Sequence, residues 1–191
     1  MSTRPIATTR TVMGMPTGRL AVWWVIASEI VIFGGLLGSY VMHRIGHPEW
    51  AHQSVHTNTA AGALNTFILL TSSLAAVLAH KAAERKDGKK AARLLRFTVL
   101  GGAMFLVVKG LEWSSEIRHG YTLTSNTFWS FYYTAAGLHG LHVIAGMIVM
   151  LFVAADVEKG RELQRVENVG LYWHFVDIVW IFLFPLLYIA K

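Results

Sequence analysis

Residues Trp173–Ile189 read WHFVDIVWIFLFPLLYI, and this stretch decides the fold of the chain. Extended back to Asn168 and on to Ala190, it is long enough to cross a bilayer as one helix, which needs about 20 mostly apolar residues. Four earlier runs have the same character: about Leu20–Met42, Ala60–His80, Leu95–Glu116 and Thr127–Ala154. The sequence therefore predicts an all-α membrane protein with five transmembrane helices in one compact bundle. Residues 1–19 are predicted to form an N-terminal tail, and residues 20–191 the transmembrane domain.

The composition supports lipid as the solvent for much of the surface. Hydrophobic residues make up 54% of the 191 residues and charged residues only 15%, whereas soluble domains carry about 25% charged residues. The absence of cysteine excludes disulfides, iron–sulfur clusters and thiolate metal sites. The net charge of +6 does not indicate nucleic-acid binding, because the basic residues lie in loops rather than on one amphipathic face. No cleavable signal peptide is expected.

The basic residues predict the orientation of the helices, since loops rich in Lys and Arg remain in the cytoplasm. Three arginines lie in the tail, seven basic residues lie between the second and third spans (Lys81–Arg96), and three lie between the fourth and fifth. The other side carries only Arg44, Arg118 and Lys191. We therefore expect a cytoplasmic N-terminus and an external C-terminus, in the inner membrane of a bacterium.

Polar residues at membrane depth are costly and so mark candidate sites. Eight such residues are predicted: Glu29, Asn65, Lys109, Glu112, His139, His142, His174 and Asp177. A helical rise of about 1.5 Å per residue places Glu29 and Asp177 about 13 Å from the cytoplasmic ends of their spans. Asn65, Lys109, His139 and Glu112 fall in a second layer nearer the outside. Each charge is therefore expected to find a partner at similar depth.

Spacing along the helices suggests some of these partners. His174–Asp177 and Lys109–Glu112 are i,i+3 pairs, which share one helix face. We expect Lys109–Glu112 to be a structural ion pair, with Asn65 and His139 in the same polar layer. His174–Asp177 is read either as a bond between the fourth and fifth helices or as a proton-handling pair. Glu29 has only apolar neighbours one turn away, so its partner must come from another helix, another subunit, water or a proton.

Metal binding is the less favoured interpretation of the histidines. His139 and His142 lie on a single helix, whereas ligation of haem by two histidines usually uses two helices. Four more histidines follow the first span, at 43, 47, 52 and 56. Zinc binding by this loop is conceivable, but its spacing fits no closed metal site, and a solvated polar loop is the preferred interpretation. We expect neither a metal site nor a catalytic residue in this chain.

Several motifs together resemble subunit III of cytochrome c oxidase, a haem-copper oxidase family. The final span WHFVDIVWIFLFPLLYI resembles the closing helix of that family. FYYTAAGLHGLHVIAG (Phe131–Gly146) is similar to its G-x-H-G-x-H-V segment, and ASEIVIFGGLLGSY (Ala27–Tyr40) to its S-E-x-x-x-F helix. LNTFILLTSS (Leu64–Ser73) and GLEWSSE (Gly110–Glu116) extend the resemblance through all five spans, in order. Two N-terminal helices of the seven-helix members are absent, as in five-helix bacterial forms.

The resemblance implies a subunit without a redox centre in an aerobic respiratory oxidase. Haem and copper would lie in partner subunits, with subunit I as the main contact and subunit II, small subunits or a larger respiratory supercomplex as further partners. The subunit would stabilise subunit I, bind phospholipid and support proton uptake by a proton-pumping complex. Glu29 corresponds to a family carboxylate known for reacting with carbodiimides. His142, His174 and Asp177 match motif positions and remain candidates for proton- or lipid-related roles.

Alternative functions remain open at this stage. Within the family, the chain could serve a quinol oxidase or act as the related accessory subunit of a nitric oxide reductase. Outside it, a stand-alone proton-coupled transporter would use Glu29 as carrier, but no inverted repeat or broken-helix pair is present. A small haem-binding cytochrome would use His139, His142 or His174, and a Soret band would identify it.

Overall fold

The structure is a computed structural model, and it describes residues 11–12 and 15–190. Five long helices account for most of the chain, and we number all elements in chain order. Helix α1 is Thr17–Gly46, and a single turn, α2 (Trp50–Ser54), follows it. The remaining helices are α3 (Thr59–Glu84), α4 (Gly88–Arg118), α5 (Thr127–Glu158) and α6 (Arg165–Phe184). A π-helical turn, Pro185–Ile189, continues α6.

The five long helices confirm the predicted membrane architecture. Each of them, with the π-helical turn counted as part of the last, is long and apolar enough to cross a bilayer. They begin and end within about four residues of the predicted spans, except that α4 begins at Gly88, seven residues before the predicted start at Leu95. Most of them extend beyond the predicted spans. The N-terminal tail was predicted as residues 1–19, but α1 already begins at Thr17. Two-residue strands β1 (Thr11–Val12) and β2 (Met15–Pro16) pair antiparallel before it, and the rest of the tail lies outside the described residues.

Capping residues define where three of the helices begin. The side chains of Asn58, Asp87 and Asn126 accept hydrogen bonds from the backbone N–H groups of Ala61, Lys90 and Trp129. Each of them satisfies an otherwise unpaired N–H group in the first helical turn. Since Asp87 caps α4 only three residues after α3 ends, these two helices form a tight antiparallel hairpin.

Small residues hold the α3–α4 hairpin together. Both helices carry buried alanines: Ala75, Ala76, Ala79, Ala82, Ala83, Ala91 and Ala92. An added Cβ at Gly101 would lie 2.6 Å from Cβ of Ser72 on α3, whereas one at Gly102 would lie 2.8 Å from Trp173 on α6. Small side chains let helix backbones approach closely where lipid gives no hydrophobic drive for association.

Helix α1 is attached to the bundle along one narrow stripe. Only Ile26, Phe33 and Tyr40 are buried on it, and they are spaced by seven residues, or about two turns. Polar contacts attach it near its two ends: Arg19 pairs with Glu167, Tyr40 donates to the carbonyl of Leu186 at 2.8 Å, and Arg44 donates to the carbonyl of Ala190. Most of α1 is therefore exposed, and it lies at the edge of the bundle.

We name the two ends of the bundle by the chain segments found there. The amino face holds the start of α1, the turn at residues 85–87 and the loop at residues 159–164. The carboxyl face holds α2, the loop at residues 119–126 and the π-helical turn. Pro185 lacks the N–H group that an α-helix would require there, and Ala190 instead donates to the carbonyl of Pro185 at 2.9 Å. This geometry turns Tyr188 into the bundle, where it is fully buried.

Candidate functional site

Glu29 on α1 meets His142 on α5. Nε2 of His142 lies 3.0 Å from Oε2 of Glu29, and each side chain is 16% exposed. Nδ1 of His142 lies 2.8 Å from the carbonyl oxygen of Leu138, so this nitrogen must carry the hydrogen. Oε2 of Glu29 makes no hydrogen bond of good geometry, so the contact is a close approach of two ionisable groups from different helices.

The surroundings of this pair are apolar and aromatic. The ring of Phe33 packs edge-on against the ring of His142, with 5.3 Å between centroids. Tyr172 on α6 donates its hydroxyl to the carbonyl oxygen of His142 at 3.3 Å. The pair therefore joins α1 to α5 at the edge of the bundle, where α1 has few other contacts. The partner of Glu29 comes from another helix, which is one of the sources that the sequence left open.

A groove opens beside this pair, between α1, α5 and α6. Its volume is about 420 Å³, and its lining is almost wholly apolar. Tyr172 lies on the side toward Glu29, and Arg165 and Asn168 lie at the start of α6. The other lining residues are Ala21, Val22, Val25, Ala145, Val149, Val153 and Val169. The groove is thus an apolar slot whose only charged lining residue lies at the amino face.

His174 bonds to α3 and not to Asp177. Its Nδ1 lies 2.5 Å from Oγ of Ser73, whereas neither oxygen of Asp177 makes a hydrogen bond of good geometry. The prediction that His174 and Asp177 tie the fourth and fifth helices as a pair is therefore wrong. The i,i+3 spacing does place both residues on one helix face. Helix α3 packs against that face, and its Ser73 forms the hydrogen bond with His174. Asp177 is left 4% exposed, as a second buried carboxyl group near the amino face.

The second polar layer contains the expected contact between Lys109 and Glu112. Nζ of Lys109 donates to Oε2 of Glu112 at 3.1 Å, and the two side chains are 5% and 1% exposed. The ammonium group also donates to the hydroxyls of Tyr132, at 3.1 Å, and Tyr188. Aromatic rings surround it, with the centroids of Trp113, Tyr132, Trp180 and Tyr188 at 4.8–5.6 Å. Cation–π attraction adds to the ion pair in this desolvated setting.

Asn65 and His139 do not make the polar contacts expected of this layer. Both are fully buried, and none of their side-chain nitrogen and oxygen atoms has a hydrogen-bond partner. The imidazole of His139 is instead packed between the rings of Phe105 and Trp180, each with a centroid distance of 5.3 Å. Within the described residues neither side chain enters a polar pair, because aromatic side chains from α4 and α6 occupy the space around the histidine.

Sequence reasoning missed three members of the Lys109 cluster. Glu116 was treated only as the end of a span, yet Tyr132 donates to it at 2.9 Å and to Glu112 at 3.1 Å. Positions 109, 112 and 116 are spaced i,i+3,i+7, which places them on one helix face, and this spacing could have identified Glu116. Tyr132 and Tyr188 come from other helices, and nothing in the local pattern points to them.

Two histidines, one in the last turn of α1 and one just after it, form an aromatic stack. The rings of His43 and His47 both stack on Trp50, with centroid distances of 6.3 and 5.7 Å. His47 also lies 2.7 Å from Glu49, and the backbone of Glu49 and this histidine lower the pKa of the Glu49 carboxyl below its usual value. Among the residues that the structure describes, no three His, Cys, Asp or Glu side chains are placed to hold a metal ion.

The fold and these polar layers define the class: a multi-pass, all-helical membrane protein with paired ionisable groups inside the bundle. Comparison with known proteins gives the family. The family model for cytochrome c oxidase subunit III matches residues 7–191, and the chain belongs to this family.

Named relatives agree with the family model. Cytochrome c oxidase subunit 3 of Corynebacterium diphtheriae is 34% identical, over 87% of this chain and 84% of that protein. The subunit 3 of Thermostichus vulcanus is 32% identical, over 85% and 82%. Heme-copper oxidase subunit I+III of Aeropyrum pernix is 30% identical, over 90% of this chain and 22% of that larger protein. This chain is accordingly a subunit III of a haem-copper oxidase.

Proposed function

We propose that this chain is a subunit without a redox centre that stabilises subunit I, binds phospholipid and sustains proton uptake by a proton-pumping oxidase. The observation that carries the proposal is the close approach of Glu29 and His142 at the edge of the bundle, beside an open apolar groove. An intramembrane carboxyl group is a functional candidate by default, because burying it in the membrane costs free energy and such residues are rare without a function.

Contact with subunit I is supported by the fused relative, whose printed name combines subunits I and III. Two subunits that are fused into one polypeptide in one organism are expected to contact each other when they are separate chains in another organism. Haem and copper would then belong to the partner subunits. Subunit II, small subunits and a larger respiratory assembly are further partners that the family membership makes reasonable.

Phospholipid binding is supported by the groove between α1, α5 and α6. An acyl chain fits an apolar slot of about 420 Å³, and Arg165 and Asn168 at its amino end suit the polar headgroup. Covering this slot would give α1 contacts that it lacks within the chain. Val149→Trp should fill the slot and reduce the phospholipid that is retained by the purified complex. Leu151→Trp, on an exposed position of the same helix, is the matched control.

Proton uptake is assigned to the amino face, which the charge pattern places in the cytoplasm. The α3–α4 turn exposes six cations: Lys81, Arg85, Lys86, Lys89, Lys90 and Arg93. Each Lys or Arg near an anionic membrane surface contributes about 1 kcal/mol to binding. Glu29 and Asp177 lie in the half of the bundle nearer this face. A surface that gathers anionic lipid also keeps exchangeable protons near the uptake side of the complex.

The experiment compares oxygen consumption by the complex with and without this subunit, followed over time from acidic to alkaline pH. We expect the first turnovers to be nearly unchanged. Without the subunit, activity should fall earlier as the pH rises, because protons are then scarce, and the enzyme should inactivate sooner. Identical pH profiles and identical inactivation rates would contradict a role in proton uptake and leave an assembly role alone.

A further inference from the structure

The Lys109 cluster carries an imbalance of charge that the ion pair alone does not explain. Glu112 and Glu116 are each 5% exposed, and Lys109 is 4% exposed. The other polar members of the cluster, Tyr132, Tyr188 and the partly buried Tyr133, are neutral phenols. Two carboxylates therefore face one ammonium group in a desolvated space, where an uncompensated charge costs several kcal/mol. One further positive charge is needed to balance the cluster.

The two carboxyl groups share one hydrogen-bond donor. The hydroxyl of Tyr132 lies 3.1 Å from Oε1 of Glu112 and 2.9 Å from Oε1 of Glu116, and its single hydrogen can reach only one of them at a time. The hydroxyl of Tyr133 lies 3.4 Å from Oε2 of Glu116, but it bonds more closely to the carbonyl of Tyr121, at 2.8 Å. Glu116 therefore accepts few strong hydrogen bonds. A proton on its own carboxyl group would reduce the negative charge that needs hydrogen-bond donors.

A polar cavity connects these carboxyl groups to the carboxyl face. It has a volume of about 310 Å³ and, unlike the groove beside Glu29, its lining is about half polar. Glu112, Ser115 and Glu116 of α4 line it, together with residues of the loops at the carboxyl face: His56, Asn58, His119 and Tyr121. The ring of His56 stacks on that of Tyr121 at 4.8 Å between centroids. The cavity gives water, and hence protons, a route to the cluster.

We propose that Glu112 and Glu116 together bind one excess proton, which exchanges with the aqueous phase at the carboxyl face through this cavity. A proton fits the cluster better than a metal ion, because no three His, Cys, Asp or Glu side chains among the described residues are placed to hold a metal. This site is separate from Glu29 and His142, which lie near the middle of α1 and α5. It is a proton-binding site near the carboxyl face.

The test uses Glu116→Gln in the complete oxidase complex. The amide has the shape of a protonated carboxyl group, and the remaining Lys109–Glu112 pair is neutral, so the variant needs no excess proton. Infrared spectra should show one carboxylic-acid carbonyl band in the wild type that exchanges rapidly in D2O and is absent in Glu116→Gln. The control Glu49→Gln, in the exposed loop, should keep the band. A wild type and a Glu116→Gln variant with the same carboxylic-acid bands would overturn the proposal.

A second readout separates proton binding from a purely structural role. A proton bound by the folded subunit stabilises it, and this stabilisation is lost as the pH rises and the proton dissociates. The wild-type subunit should therefore leave the complex more readily at alkaline pH on heating, whereas Glu116→Gln should show a smaller pH dependence. Equal pH dependence in the two proteins would also contradict the proposal, whatever their absolute stabilities.

Discussion

Nε2 of His142 on α5 lies 3.0 Å from Oε2 of Glu29 on α1. Helical rise places His142 about 18 Å and Glu29 about 13 Å from the predicted cytoplasmic ends of their spans. Because the helices are tilted and both side chains are long, the two groups can meet despite this difference in estimated depth. The pair is therefore a contact between helices that no local spacing could indicate, and it is the main polar link in the middle of α1.

Carbodiimide labelling should distinguish Glu29 from Glu112. A carbodiimide reacts with a protonated carboxyl group, and an apolar one reaches the protein through the bilayer. The Glu29 side chain is 16% exposed at the edge of the bundle, whereas that of Glu112 is 1% exposed. We expect mass spectrometry to locate the label on Glu29 and to find none in Glu29→Gln. Labelling confined to loop carboxyl groups such as Glu49 would refute this prediction.

Close packing of α3 and α4 predicts a large effect of one methyl group at Gly101. The added Cβ of Gly101→Ala would lie 2.6 Å from Cβ of Ser72, so the two helices would have to separate. Overpacking of this kind costs about 1–3 kcal/mol. Thermal dissociation of the subunit from the complex should occur at lower temperature. Gly110→Ala, on the same helix with open space around the new methyl group, should behave like the wild type, and equal behaviour of both variants would contradict the packing.

The bond between Ser73 and His174 should contribute to the contact of α3 with α6. Ser73→Ala removes a partner 2.5 Å from Nδ1 of His174 and leaves a half-buried imidazole unpaired, at a cost of about 1–3 kcal/mol. The variant should dissociate from the complex at lower temperature than the wild type. Ser28→Ala is the control, since that hydroxyl bonds only to the carbonyl of Val25 in its own helix. If the control loses as much stability as Ser73→Ala, the bond has no special role.

The five-helix architecture could be predicted from the sequence because each transmembrane helix is marked by a long apolar run. Apolar length alone placed five helices close to their observed bounds, and the i,i+3 spacing correctly joined Lys109 to Glu112 within one helix. The same spacing failed for His174 and Asp177. Two side chains on one helix face can still contact different neighbouring residues, and here His174 forms its hydrogen bond with Ser73 of α3.

Contacts between helices depend on rotation and tilt, which the sequence pattern does not contain. His139 illustrates this, because its estimated depth, similar to that of Lys109, suggested a polar layer, while Phe105 and Trp180 from other helices enclose it. Tyr188 enters the Lys109 cluster only because Pro185 changes the helix to a π-helical turn. Glu116 was the one missed residue that spacing could have revealed.

We propose that this chain functions as a subunit of a haem-copper oxidase and carries no redox centre itself. The most direct measurement is the absorption spectrum and metal content of what co-purifies with the tagged chain in mild detergent, before and after the chain is separated from its partners. We predict an assembly with haem and copper that consumes oxygen, and a separated chain without a Soret band or bound copper. A chain that purifies alone from its native membrane, or one that retains stoichiometric haem or copper after separation, would contradict the claim.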